Sequence, residues 1–189
     1  MTIFLILAPY GVFSALMLVA SASVSLFAAG GVCLAVIALD AYRGRSVKIL
    51  GAGSAIVFGG LGGYFTFIDP SLSVSAIKFL ADAGIFTISA GSILIRYPFS
   101  LQYARESTPA EAAAMPGFLR ANYIITAVWS AAGLLMALSS AAMLYVPGLP
   151  VWLSLAIAFA ARNSALYFTK WYPEYRRTKF TAQALPDPQ

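Results

Sequence analysis

Six apolar stretches, divided by short polar or turn-forming segments, set the pattern of this chain. Each is long enough to cross about 30 Å of hydrocarbon at about 1.5 Å of rise per residue. The pattern predicts helices over residues 2–19, 23–42, 49–68, 75–95, 121–145 and 149–169. The first stretch is followed by Ala20-Ser21-Ala22-Ser23, which has the look of a signal cleavage region. Met1-Thr2-Ile3-Phe4 lacks the basic start such a leader needs, so the stretch reads as a retained helix.

The interruptions carry their own signals. Asp40, Arg43, Arg45 and Lys48 surround Gly44 in a polar turn. Asp69-Pro70 and Arg96-Tyr97-Pro98 stop helices, because proline cannot continue the hydrogen-bond ladder. Val146-Pro147-Gly148-Leu149-Pro150 is an uncharged turn. Residues 96–120 form the one long polar connection. Within it Thr108-Pro109-Ala110-Glu111 reads as a capping box opening a short surface helix over 109–114, which Pro116-Gly117 then ends. The reading is an all-α polytopic membrane protein, a six-helix bundle in one domain over residues 1–180, with a disordered tail at 181–189.

Composition agrees with that pattern. Of the 189 residues 60% are hydrophobic and 10% charged, where a soluble domain carries about 25% charge. The net charge of +5 bears on orientation and anionic lipid rather than on nucleic acid. Lys and Arg fall in the connections after the second and fourth stretches and after the sixth, and the other three connections have none. Both termini are therefore expected in the cytoplasm. With no histidine and one cysteine, Cys33, the chain has no internal disulfide, no bis-histidine haem and no histidine-based acid–base catalysis. Cys33 reads as a small buried hydrophobe. No cofactor or metal is expected.

The third stretch is unusually bare. Ala52, Ala55, Gly59 and Gly63 share one helical face at spacings of three and four, and Gly59-x-x-x-Gly63 is the spacing that lets helices approach closely in lipid. The sequence predicts that the bundle packs around this face. An echo of Tyr64-Phe65-Thr66 and Pro70 recurs as Tyr167-Phe168-Thr169 and Pro173, a pattern that an inverted repeat would produce.

Ionisable groups inside the membrane are the default candidates for function. Asp82 lies in the fourth stretch with Lys78 four residues earlier on the same face. Either the two neutralise each other, or Asp82 faces a cavity as a proton or cation site. Arg162 and Asn163 form a second polar island in the sixth stretch. Arg162 needs a partner: Asp40 or lipid phosphate as a structural tie, Asp82 if it reaches up, or a bound anion or headgroup. On the inner face, Tyr97, Phe99, Tyr103 and Arg105, and Trp171, Arg176 and Arg177 in the tail, mix aromatics with cations. Such segments anchor to anionic lipid or dock other proteins. No signature of hydrolase, metalloprotease or phosphate-binding chemistry occurs.

The basic turn Arg43–Lys48 leads into Val57-Phe58-Gly59-Gly60-Leu61. Together with Arg96-Tyr97-Pro98, Asn122 and Trp129, these residues resemble the intracellular septation protein A family of bacterial inner-membrane proteins, over residues 40–147. The connection Leu101-Gln102-Tyr103-Ala104-Arg105-Glu106 is longer than that family's. The resemblance implies a non-enzymatic role in envelope organisation and septation through contacts with other membrane proteins or a second copy. Two other expectations follow from the residues: a small transporter or channel with a polar path at Asp82 and Arg162, and an accessory subunit of a larger membrane complex.

Overall fold

The computed structural model describes residues 2–146 and 148–184. Eight helices run through them: α1 Thr2–Leu16, α2 Ala22–Tyr42, α3 Ile49–Phe67, α4 Val74–Leu94, α5 Phe99–Ser107, α6 Ala110–Ala113, α7 Pro116–Tyr145 and α8 Val151–Ala184. No strand occurs among the described residues. Four helices, α2, α3, α4 and α7, are long and apolar enough to cross a membrane, as expected of a membrane protein. The first and last predicted spans differ. In α1, helical bonding gives way to a turn at Met17–Ala20, leaving 15 helical residues. In α8, Arg162 and Asn163 interrupt the apolar run.

Local chemistry explains most helix ends. The Ser21 and Ser73 hydroxyls accept from the N–H groups of Val24 and Ala76, capping α2 and α4. Asp69 accepts from the Ser71 N–H at 3.1 Å in the turn that Pro70 forces after α3. Gly44 takes a φ of 67° to leave α2, and Arg96 a φ of 60° between α4 and α5.

The polar connection folds otherwise than expected. Thr108 is extended, as the residue before a proline prefers, and Pro109 itself occupies the cap position, so α6 begins at Ala110 with no side-chain cap. No capping box forms. Pro116-Gly117 starts α7 rather than ending α6, because a proline at the first helical position loses no hydrogen bond. The last helix also outruns its predicted end at 169. It continues through Pro173 to Ala184, so residues 181–184 of the expected tail are helical. Residues 185–189, and Pro147 of the uncharged turn, lie outside the described residues.

The helices pack in series, α1 on α2, α2 on α3, α3 on α4, α4 on α7 and α7 on α8, with α5 against α7. Tyr10, Phe13, Leu26, Ala29, Cys33, Phe58, Ile77 and Ala81 make the main core. A smaller one joins Met136 to Ala158 and Ala161.

The buried positions of α3 are Leu50, Ser54, Phe58 and Gly62. That stripe is rotated by one residue, about 100°, from the predicted face of Ala52, Ala55, Gly59 and Gly63. A Cβ added to Gly59 or Gly63 would meet nothing within 4 Å. The tight approaches are elsewhere. An added Cβ would lie 2.8 Å from Val57 Cγ1 at Gly84, 2.7 Å from Ile88 Cδ1 at Gly53 and 3.2 Å from the Phe27 ring at Gly62. Gly59 keeps a part through its backbone, whose nitrogen would sit 3.5 Å from a Cβ on Gly30. Ala55 packs on the main core, and Ala52 is half-buried.

Candidate functional site

Polar side chains gather at three levels of the bundle. At the basic end, where α2, α3 and α5 meet, Lys48 is almost fully buried. Its ammonium donates to Asp40 Oδ2 at 3.0 Å, Glu106 Oε1 at 2.9 Å and the Ser46 carbonyl at 3.0 Å. Arg45 sits 3.8 Å from Asp40 and 3.9 Å from Glu106. Two cations thus face two carboxylates, and the quartet is neutral. Lys48 also lies 5.6 Å from the Tyr103 ring centre, within cation–π range. Burial, then the negative charges nearby, pushes the Tyr103 phenol up from its ordinary value. The Ile49 N–H donates to Gln102 Oε1 at 2.8 Å, so α5 caps the first turn of α3.

A serine and threonine ladder lies beneath it. Ser89 bonds Ser130 at 2.6 Å. Ser92 accepts from the Phe99 N–H at 3.1 Å. Ser100 donates to the Asn122 carbonyl at 2.9 Å and accepts from Thr126 at 2.9 Å. These bonds tie α4, α5 and α7 together and satisfy buried polar groups.

Nearer the other end, Lys78 donates to Asp82 Oδ2 and to Ser140 Oγ, each at 2.8 Å, and Ser140 donates to the same Asp82 oxygen at 2.6 Å. Asp82 and Ser140 are buried, and the triangle closes on itself. Of the two readings of Asp82, the mutual neutralisation with Lys78 is the one whose contacts are present. Ser140 completes it from α7.

Arg162 behaves differently. It makes no hydrogen bond or ion pair with any described residue, and it lines a cavity of about 40 Å³ together with Tyr10, Ser89 and Trp129. Asp40, the partner expected for it, is held by Lys48 and Arg45 instead. Asn163 turns outward, exposed, and donates to the Phe159 carbonyl at 2.8 Å.

The candidate contact surface divides. Phe99 is buried and Tyr103 half-buried, so this part of α5 is a plug in the bundle rather than a docking face. The cause is the ladder and the Gln102 cap, which draw α5 inward. Arg105 stays exposed and Tyr97 partly so. On α8, Trp171 and Tyr175 stack with ring centres 4.9 Å apart, and Phe168 stacks on Tyr172 at 5.0 Å. Arg177 is exposed and Arg176 half-buried, its guanidinium over Gly117.

Sequence reasoning passed over Lys48 and Glu106 as a pair, Ser140, and the ladder. The ladder had a signal: Asn122, Thr126 and Ser130 recur every four residues along α7. Among the described residues no group of three or more Cys, Asp or Glu is placed to hold a metal. Comparison of the chain with family models, with characterised proteins and with solved structures finds no match.

Proposed function

We propose that this chain is a non-enzymatic protein of the bacterial inner membrane that organises the cell envelope or septum through protein contacts. In this reading it crosses six times, α1 and α8 included, with both termini in the cytoplasm. The basic connections support the orientation, since they gather at one end of the bundle while 17–21, 68–73 and 146–150 hold no Lys or Arg. The resemblance at Arg43–Lys48 and Val57–Leu61 supports the septation role.

The observation that carries a scaffold over a conduit is that the two ionic clusters are closed. Asp40, Glu106 and Asp82 each have their cation within 3.0 Å. A carboxylate that relays protons or binds cations in transit is held ready for its ion, whereas each of these already has a protein cation as its neighbour.

The contact element is the inner end of α8. At about 1.5 Å per residue, its 34 residues extend about 51 Å, well beyond a bilayer core of about 30 Å. The stretch past the bilayer presents Lys170, Trp171, Tyr175 and Arg177. Chains truncated after Lys170 should insert and remain helical. Cross-linking and purification from native membranes should then recover their partner at least tenfold less well than the intact chain does. Equal recovery would contradict the proposal.

A further inference from the structure

Counting charge through the middle of the bundle leaves one cation over. Lys78 and Asp82 cancel at 2.8 Å, and the quartet at the basic end is neutral. Arg162 stands 11 residues into α8, about 16 Å along the helix from its start, which is near mid-bilayer for a spanning helix. A guanidinium there costs about 2.5–3.5 kcal/mol on insertion scales unless something offsets it. Asp82, the acidic group whose charge acts on Arg162, already accepts from both Lys78 and Ser140.

The cavity before Arg162 is otherwise short of polar capacity. Tyr10 is bonded to Ser54, whose own proton goes to the Leu50 carbonyl. Ser130 donates to the Thr126 carbonyl, which leaves it to accept from Ser89. The Trp129 indole N–H donates to Thr169 at 2.9 Å. Every neighbouring donor is therefore occupied, while the five N–H donors of Arg162 are not. The volume of about 40 Å³ has room for an ion and a water or two, on the scale of about 10–15 Å³ per water-sized sphere.

We propose that Arg162 holds a halide-sized monovalent anion in this cavity between α1, α4, α7 and α8, as a resident counter-ion for the bundle. A phospholipid phosphate is the other source of such a charge, and lipid retention distinguishes it from a free halide. The inference goes beyond the scaffold reading and stands whether or not α8 binds a partner.

Trp129 lines the same cavity and reports on it, because bromide quenches indole fluorescence on contact. The full chain carrying Trp152→Phe and Trp171→Phe, purified in chloride-free gluconate, leaves Trp129 as the sole indole, excited selectively at the red edge of its absorption band. Bromide should quench it saturably, and chloride should reverse the quenching. In Arg162→Met the saturable part should vanish, and in Arg162→Lys it should persist at weaker affinity. Thermal unfolding of the unaltered chain should also shift upward in chloride relative to gluconate, with no such shift in Arg162→Met. Quenching that is purely linear, or equally saturable in Arg162→Met, would overturn the proposal. So would anionic lipid retained by the wild-type chain and lost from Arg162→Met with no halide response.

Discussion

With 3% of its side chain exposed, Lys48 depends on Asp40 and Glu106, 3.0 and 2.9 Å away. Removing one member of a buried ion group costs more than the group contributes, because the charges left behind keep their desolvation. Lys48→Met should therefore lower stability by about 3 kcal/mol, read as a fall in the denaturation midpoint in detergent. Asp82→Asn should cost less, about 1–3 kcal/mol, since Lys78 is 19% exposed and its long chain can lift its charge toward water. An unchanged midpoint in Lys48→Met would mean the quartet does not hold the α2–α3 turn to α5. The two clusters also differ in how far the sequence disclosed them. Lys78 and Asp82 are one helical turn apart, so periodicity alone paired them. Lys48 and Glu106 are 58 positions apart, and only the inward folding of α5 joins them.

Among the elements, those flanked by Ser, Pro or Gly and predominantly apolar within fell within two residues of their expected bounds. These are α2, α3 and α4. Apart from the early end of α1, the departures occur where proline plays either of two parts. Pro116 opens α7, and Pro173 stays inside α8, while Pro70 does end α3. That difference also weakens the echo of Tyr64–Pro70 in Tyr167–Pro173, since one copy terminates a helix and the other does not. The orientation of α3 was the other misreading. Glycine marked a close-packed helix, but composition could not say which side of it meets α4. Gly84→Leu should push α3 and α4 apart, because both methyl groups of Val57 stand within 3 Å of the new Cβ. A loss of about 1–3 kcal/mol is expected. Gly60→Ala meets open space and should be neutral or stabilising by up to about 1 kcal/mol. Thermal midpoints of the two variants, compared with the parent chain, check both; equal effects would refute the packing described.

At the scale of the whole molecule, a membrane bundle was legible from six apolar stretches and sparse charge. What the bundle encloses was not, because it depends on which polar side chains meet across helices. Here they meet in closed sets, and Arg162 alone among the described mid-bundle ions lacks a protein partner within hydrogen-bonding reach. Among the described residues these sets tie helices to one another, the Lys48 quartet across α2, α3 and α5 and the Lys78–Asp82–Ser140 triangle across α4 and α7. The most direct test is ion flux in proteoliposomes holding the purified chain. The account predicts proton and potassium leak no faster than in protein-free vesicles, for wild type and Asp82→Asn alike. Flux well above that background in the wild type, abolished by Asp82→Asn, would contradict it.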